Sequence, residues 1–451
     1  MDPHLIPVQH SSRNQHFRVR RVWCVVAAVV LSGVACGSSD SAESASSTAS
    51  STSRVSSTVK SGVTSSADAP VAPESTVPPT STVAPSSSST PGPADIDASP
   101  TTKAEPGPAE RAVADAQKLP LRKKLALLMF IGFNTGYRDT AGTTDPGAAQ
   151  EVIDAGVGGV FIGRKELALF DSPVFPKPEG GEVNLLVATD AEGGRVDPLP
   201  QVAEPLPPAR TMAGWPIDRV RTEAAAHGAE LRAHGVNVNF APMLDLEGGS
   251  NPLGDRTWSS EPDEVVSTAG AFSEGMCDAG VYPTFKHFPG HGRSDFDADL
   301  EPATTPDLAT LEQSDLIPFR ELTEAMKGRS MVMSGHLDVP GLTSEGRPFS
   351  IDPQAMAFLR DDVGFDGVVV TDELAEMGSI TERGISVPDA VERSIVAGND
   401  MALFFGGPSD LQAVLDHLER SVAEGRLSQQ RVDESVQRVV TLMASGACSP
   451  S

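Results

Sequence analysis

Two short runs of this sequence carry the residue types that chemistry needs. Lys286-His287-Phe288-Pro289-Gly290-His291-Gly292 follows the apolar segment Val281 to Phe285, so a cation, two imidazoles and two glycines fall where a strand runs out into a turn. Thr371-Asp372-Glu373-Leu374 closes a second apolar run, Gly367-Val368-Val369-Val370, in the same manner. Strand side chains alternate faces, which sets Val368, Val370 and Asp372 on one face and aims the Asp372 carboxylate beyond the strand end. Held against a bound sugar, such a carboxylate can attack an anomeric carbon and form a glycosyl-enzyme. The structural alternative is that Asp372 or Glu373 caps the next helix, a role that suits Glu373 better.

Lys286 and His287 offer directed donors to sugar hydroxyls without competing as nucleophiles. Asp190, in Thr189-Asp190-Ala191-Glu192-Gly193-Gly194-Arg195, and Arg256, in Gly254-Asp255-Arg256-Thr257-Trp258, add acceptors and donors from other loops. Each has a plainer reading beside it. Asp255 and Arg256 form a local ion pair, Glu192 or Arg195 braces its loop, and His291 either braces the glycine turn or touches the ligand. Neither a His-x-x-x-His helix nor a cysteine pair supports a metal site, so none is expected.

The elements that position these residues are legible as eight apolar runs separated by helical stretches: Leu127–Phe133, Val157–Ile162, Leu185–Asp190, Val236–Pro242, Val281–His287, Met331–His336, Val368–Asp372 and Met401–Phe405. Eight strands alternating with helices predict a (β/α)8 barrel of the TIM type. The helical stretches show the matching apolar period, as in Val432, Val436, Val439 and Met443 behind a Ser428 cap. A doubly wound open sheet is the rival, but no Gly-x-Gly-x-x-Gly follows the first strand. Asp190, Asp245, Lys286-His287, His336 and Asp372 all fall at C-terminal strand ends, where active sites of this fold gather.

The barrel does not account for the whole chain of 451 residues. Residues 1–35 read as a secretory signal peptide, with Arg13, Arg18, Arg20 and Arg21 ahead of an apolar core from Val22 to Val34. The segment Leu31-Ser32-Gly33-Val34-Ala35-Cys36 resembles a bacterial lipobox with Gly33 in place of the usual leucine, which makes Cys36 the candidate lipidation site. Ordinary cleavage near Ala35, giving a secreted product, is the alternative. Residues 36–110 are dominated by Ser, Thr, Ala, Pro and Val, a composition that cannot bury enough apolar surface to fold and predicts a disordered linker. Residues 111–451 then form one domain. The formal charge is −26, and because the signal carries four arginines against Asp2, the remainder has 31 basic and 60 acidic residues, or −29. Nucleic acid is excluded as a partner on that balance. Beyond Cys24 and Cys36 only Cys277 and Cys448 remain, which an oxidising compartment can join. Cys277 reads equally well as a buried helix residue.

Taken together, Asp190-Ala191-Glu192-Gly193-Gly194-Arg195-Val196, Asn239-Phe240-Ala241-Pro242, Gly254-Asp255-Arg256, Lys286 to Gly292 and Thr371-Asp372-Glu373-Leu374 resemble glycoside hydrolase family 3, over about residues 119 to 445. The likeness is to its single-barrel branch, the bacterial β-N-acetylglucosaminidases of peptidoglycan recycling, and the leader with its Ser/Thr linker resembles secreted actinobacterial members. The resemblance implies retaining hydrolysis of terminal β-linked N-acetylglucosamine from peptidoglycan or muropeptide fragments. It places Asp372 at the nucleophile position and Asp190, Arg256, Lys286 and His287 at sugar-binding positions, and implies no cofactor. An extracytoplasmic monomer is expected, touching the membrane only through a lipid anchor.

One departure from that branch bears on mechanism. Its loop after the glycine turn carries an Asp-Ser-His triplet whose Asp–His pair is the general acid/base, whereas this chain reads Asp297-Ala298-Asp299. Asp299, partnered by Asp297, can take over if crowding among acids raises its pKa. Failing that, protonation of the leaving group is lost, a contribution of about 10²–10⁴ in rate. A sugar-binding lipoprotein without turnover is therefore the second reading, and a hydrolase of another β-glycoside the third. The plain reading of the acidic run is a solvated flexible loop.

Overall fold

The computed structural model describes residues 106–133, 145–163, 167–170, 185–250 and 252–449. The signal peptide, Cys36 and the linker as far as residue 105 lie outside the described residues. Within them, every one of the eight apolar runs supplies a parallel strand: β1 Met129–Gly132, β2 Gly159–Phe161, β3 Leu186–Thr189, β4 Val238–Asn239, β5 Tyr282–Phe288, β6 Met331–Ser334, β7 Val369–Thr371 and β8 Ala402–Phe405. They pair in chain order, with β8 returning to β1 through Met129 opposite Ala402. A bridge between Val370 and Met401 joins β7 to β8, reinforced by Met401 N–H to Val369 O at 3.0 Å and Thr371 N–H to Met401 O at 3.1 Å. The sheet thereby closes into the expected barrel.

Most strands are shorter than their apolar runs. The run from Val236 to Pro242 pairs only at Val238 and Asn239, since Pro242 has no N–H to give to a ladder. Beyond it the chain stays beside β5, where Met243 bridges Lys286. β5 itself continues through Lys286 and His287 to Phe288, and its register against β6 shifts between Phe285 and Phe288.

The outer layer follows the helical period. Ser428 accepts from Arg431 N–H to start the helix Gln429–Ser445, whose Val432, Val436, Val439 and Met443 are buried as predicted. Each such side chain stabilises the fold by about 1.5–3 kcal/mol. Helices Ile217–Ala233 and Pro262–Asp278 pack so closely that a Cβ on Gly275 would sit 2.3 Å from Arg221 O. Asp400, fully buried before β8, gathers Arg360, Arg431 and Arg438 at 2.7, 2.9 and 3.2 Å.

Two expectations need adjustment. The ordered domain begins before residue 111: helix Pro108–Ala116 opens with proline in its first turn, and Glu110 accepts the N–H of Gly107 at 2.9 Å. The linker assigned to 36–110 therefore ends short of its predicted boundary. That helix packs on Gln429–Ser445, with Gln117 Nε2 donating to Asp433 O at 2.9 Å. Cys277 fulfils both of its readings, being buried in helix Pro262–Asp278 and joined to Cys448 by a disulfide across 171 residues.

Candidate active site

The C-terminal ends of the strands surround a cavity of about 150 Å³. Phe161, Phe240, Met333, Leu403 and Phe405 form its apolar wall, and the Phe161 and Phe240 rings stack at 5.9 Å. Asp190, Arg256, Lys286, His287, Asp297, Asp299 and Asp372 all face it, so all seven pocket residues expected from sequence converge on one place.

Two cations form the floor with two carboxylates. Lys286 Nζ lies 2.8 Å from Asp190 Oδ1 and 2.5 Å from Glu192 Oε1, and Arg256 grips Glu192 through Nε at 2.8 Å and a second nitrogen at 2.9 Å. Burial alone would raise the Glu192 carboxyl, but Arg256 and Lys286 outweigh it and hold the group ionised far below the usual carboxylate range. Burial likewise opposes the Lys286 charge, and Asp190 with Glu192 more than restores it. The expected local pair between Asp255 and Arg256 does not form. Arg195 takes Asp255, which leaves Arg256 for Glu192.

Asp372 follows directly on β7. Its N–H bonds to Ser334 O on β6 at 3.0 Å, and its Oδ1 accepts the N–H of Glu373 at 2.9 Å. Oδ2 faces His287 Nε2 at 3.9 Å. Burial works against the Asp372 charge, but His287, His336 and the Glu373 N–H prevail and lower its pKa, so the carboxylate is ionised. Glu373 has the structural role foreseen for it, though in a turn rather than at a helix start. Its Oε1 accepts from Ala375 and Phe405 N–H and its Oε2 from Glu376 N–H, while burial raises its carboxyl to about 7.

His287 is oriented from behind by Asp245, which is completely buried; the Nδ1 to Oδ2 distance is 2.8 Å. Burial would discharge His287, but Asp245 and Asp372 raise its pKa. His291 stands edge-on to His287 at 5.6 Å and accepts the Ala298 N–H on Nε2 at 3.2 Å. Burial and the nearby His287 lower its pKa to about 4, in keeping with a neutral acceptor ring. Both readings of His291 hold in part: it braces the acidic loop and lines the cavity. His336 is structural, held by Ser350 Oγ at 2.6 Å and Glu373 O at 2.9 Å.

The Asp297-Ala298-Asp299 triplet is docked rather than loose. Gly378 and Ser379 donate backbone N–H groups to Asp299 O at 3.0 Å and Ala298 O at 3.1 Å, and the Asp299 N–H reaches Asp297 Oδ1 at 3.1 Å. Burial, followed by the charges of Asp372 and Asp297, raises the Asp299 carboxyl to about 6. Asp299 is itself exposed, so solvent screens part of that effect. Glu192 and Asp245 are the functional positions that sequence reasoning left without a site role. The signal for Asp245 was its place after an apolar run, and Glu192 had only its neighbour Asp190. Among the described residues no group of three or more His, Cys, Asp or Glu side chains is arranged to hold a metal ion.

An ionised carboxylate faced by a protonatable one, above a floor of directed donors, is the equipment of a glycosidase. Known proteins agree. Residues 121–442 match the Glycosyl hydrolase family 3 N terminal domain. The chain is 38% identical over 361 residues to the beta-hexosaminidase LpqI of Mycobacterium tuberculosis, covering 76% of this chain and 89% of that protein. A solved family 3 glycosyl hydrolase from Mycobacterium smegmatis superposes with a TM-score of 0.66 at 38% identity, covering 73% of this chain and 98% of that one. A family 3 beta-N-acetylglucosaminidase from Paenibacillus sp. gives 0.64 at 30% identity, covering 74% and 64%. The chain belongs to glycosyl hydrolase family 3.

Proposed function

We propose that the protein is an exo-acting β-N-acetylglucosaminidase that works with retention through a glycosyl-Asp372 intermediate. The observation that carries this reading is the pairing at one cavity of Asp372, held ionised, with Asp299, held up to about 6. In the first step an Asp372 oxygen bonds to the anomeric carbon as the bond from that carbon to the leaving oxygen breaks, and Asp299 gives that oxygen its proton. In the second, water attacks the same carbon, its proton passes to Asp299, and the Asp372 ester bond breaks. Two inversions give net retention. Arg256, Lys286, His287 and Asp190 orient the sugar hydroxyls, and the Phe161 and Phe240 rings exclude water from one side.

The beta-hexosaminidase and beta-N-acetylglucosaminidase names of the relatives support the sugar class. The basic and apolar leader with Cys36 supports an extracytoplasmic, lipid-anchored or secreted location, where peptidoglycan fragments carry terminal β-N-acetylglucosamine. The reading as a sugar-binding lipoprotein requires Asp299 to be unable to donate a proton, and its raised pKa argues against that. An aryl β-N-acetylglucosaminide assayed beside the aryl β-glucoside, with Asp372→Ala as control, tests the proposal. Selective turnover lost in the variant is expected. Saturable sugar binding without turnover by folded protein would establish the binding reading instead.

A further inference from the structure

Asp245 lies outside the cavity wall and is fully buried, yet it accepts three hydrogen bonds from the catalytic surroundings. Oδ2 takes the His287 backbone N–H at 3.1 Å and Nδ1–H at 2.8 Å, and Oδ1 takes the backbone N–H of His291 at 2.5 Å. Each histidine leads onward. His287 Nε2 reaches Asp372 at 3.9 Å, and His291 Nε2 holds the Ala298 N–H at 3.2 Å, between Asp297 and Asp299. The glycine turn is pressed onto the same spot, for a Cβ on Gly292 would sit 2.0 Å from Leu246 O and 3.2 Å from the Asp245 Cβ.

We propose that Asp245 and His291 are positioning residues that join the nucleophile to the acid/base loop, so that the path Asp372, His287, Asp245, His291, Ala298 fixes where Asp299 stands relative to Asp372. This rests on the reading of Asp299 as the acid/base. The hydrogen-bond roles are forced. A carboxylate has no proton to give, so His287 carries a proton on Nδ1; His291 accepts from a backbone N–H, so its Nε2 carries none. The charged and titratable groups about His287, namely Asp245, Asp372, Lys286, His291 and His336, leave it the protonated ring and His291 the neutral one. A neutral His287 would lose the charge that attracts Asp372 across 3.9 Å, and the Asp372 side of the path would weaken.

His291→Leu tests the loop half, because it keeps the backbone N–H to Asp245 and an apolar side chain against His287 and the cavity while deleting the acceptor for Ala298. The expected result is a fall of about 10–100-fold in kcat/KM on an alkyl β-N-acetylglucosaminide, which needs the acid, and a change within about threefold on the dinitrophenyl analogue, which does not. An equal fall on both, or no fall on either, overturns the proposal. Asp245→Asn tests the other half, since an amide cannot accept from all three donors. Both substrates are expected to slow, and the 15N signals of the His287 ring to move from the charged to the neutral pattern at neutral pH. Unchanged signals and rates in that variant overturn it. If Asp245→Asn does not fold, His291→Leu, with every buried carboxylate intact, decides the matter. Asp299→Asn run in parallel separates the two claims. A loss confined to the poor leaving group there but not in His291→Leu defeats this inference alone, and its absence in both defeats the assignment of Asp299 as well.

Discussion

Replacing Asp299 by Asn removes a proton donor while keeping the size of the side chain. Glycosylation needs Asp372 charged and Asp299 protonated. Asp372 titrates below its ordinary 3.8 and Asp299 at about 6, so kcat/KM on an alkyl glycoside traces a bell between those values. One pH unit above the alkaline limb about a tenth of the enzyme remains in the active form, and two units above about a hundredth. The variant is expected to lose about 10²–10⁴ on that substrate at the optimum. That is about 3–5 kcal/mol of transition-state stabilisation at about 1.36 kcal/mol per decade. On a dinitrophenyl glycoside, whose leaving group departs without a proton, kcat/KM falls by less than about tenfold. There the intermediate accumulates for want of a base to activate water, and kcat and KM decline together. Initial rates across a pH series with both substrates provide the assay. An alkaline limb that persists in Asp299→Asn on the alkyl substrate, or equal losses on the two, would refute the reasoning.

Asp299→His is expected to retain turnover of the alkyl glycoside and to move the alkaline limb above about 6.5, because Asp372 and Asp297 favour a charged imidazole. Gly378→Ala places a Cβ 2.0 Å from Leu300 O, so it should push the acidic loop off its seat. Rates on alkyl but not dinitrophenyl substrates then drop, as comparison of kcat/KM will show. Asp400→Asn leaves Arg360, Arg431 and Arg438 without their common partner, and denaturant unfolding at neutral pH should register a loss of about 3–5 kcal/mol. Because the folded pKa of Asp400 is depressed, its contribution is present above the unfolded value of 3.8 and fades as pH falls through the folded one. The gap between variant and parent should narrow in acid accordingly. Cys277→Ser opens a cross-link spanning 171 residues, which loop entropy values at up to about 5 kcal/mol, and a lowered unfolding midpoint under non-reducing conditions checks it.

The barrel was legible in the sequence because parallel strands, buried on both faces, read as unbroken apolar runs such as Val368-Val369-Val370. Asp190, Lys286, His287 and Asp372 were legible because such runs end in polar side chains at the same end of a parallel barrel, whereas Asp297 and Asp299 stood out only through the family resemblance. What stayed hidden is pairing at a distance. Glu192 meets Arg256 across 64 positions, and Asp255 turns to Arg195 across 60. Neighbours in sequence suggested Asp255 with Arg256 instead, since spacing along the chain carries no information on how two loops approach. The acidic loop could be read only as solvated or catalytic, because its anchors, Gly378 and His291, come from other segments. Asp245 showed its place but not its task, for the imidazoles it serves belong to the following strand and turn.

The floor sets two carboxylates, Asp190 and Glu192, against two cations; burial raises the Asp190 carboxyl, while Arg256 and Lys286 hold Glu192 ionised. Its donors are thereby held in one direction before a sugar arrives. The same pairing constrains descent. Losing Glu192 takes the carboxylate partner from Arg256 and leaves Lys286 with Asp190 alone, a defect of about 3–5 kcal/mol for a well-paired buried site. A lineage leaving this arrangement must change two of the four together or drift through a poorly folded intermediate. The quartet is thus a ratchet on sequence variation, because Glu192 and the two cations it meets cannot be exchanged one at a time.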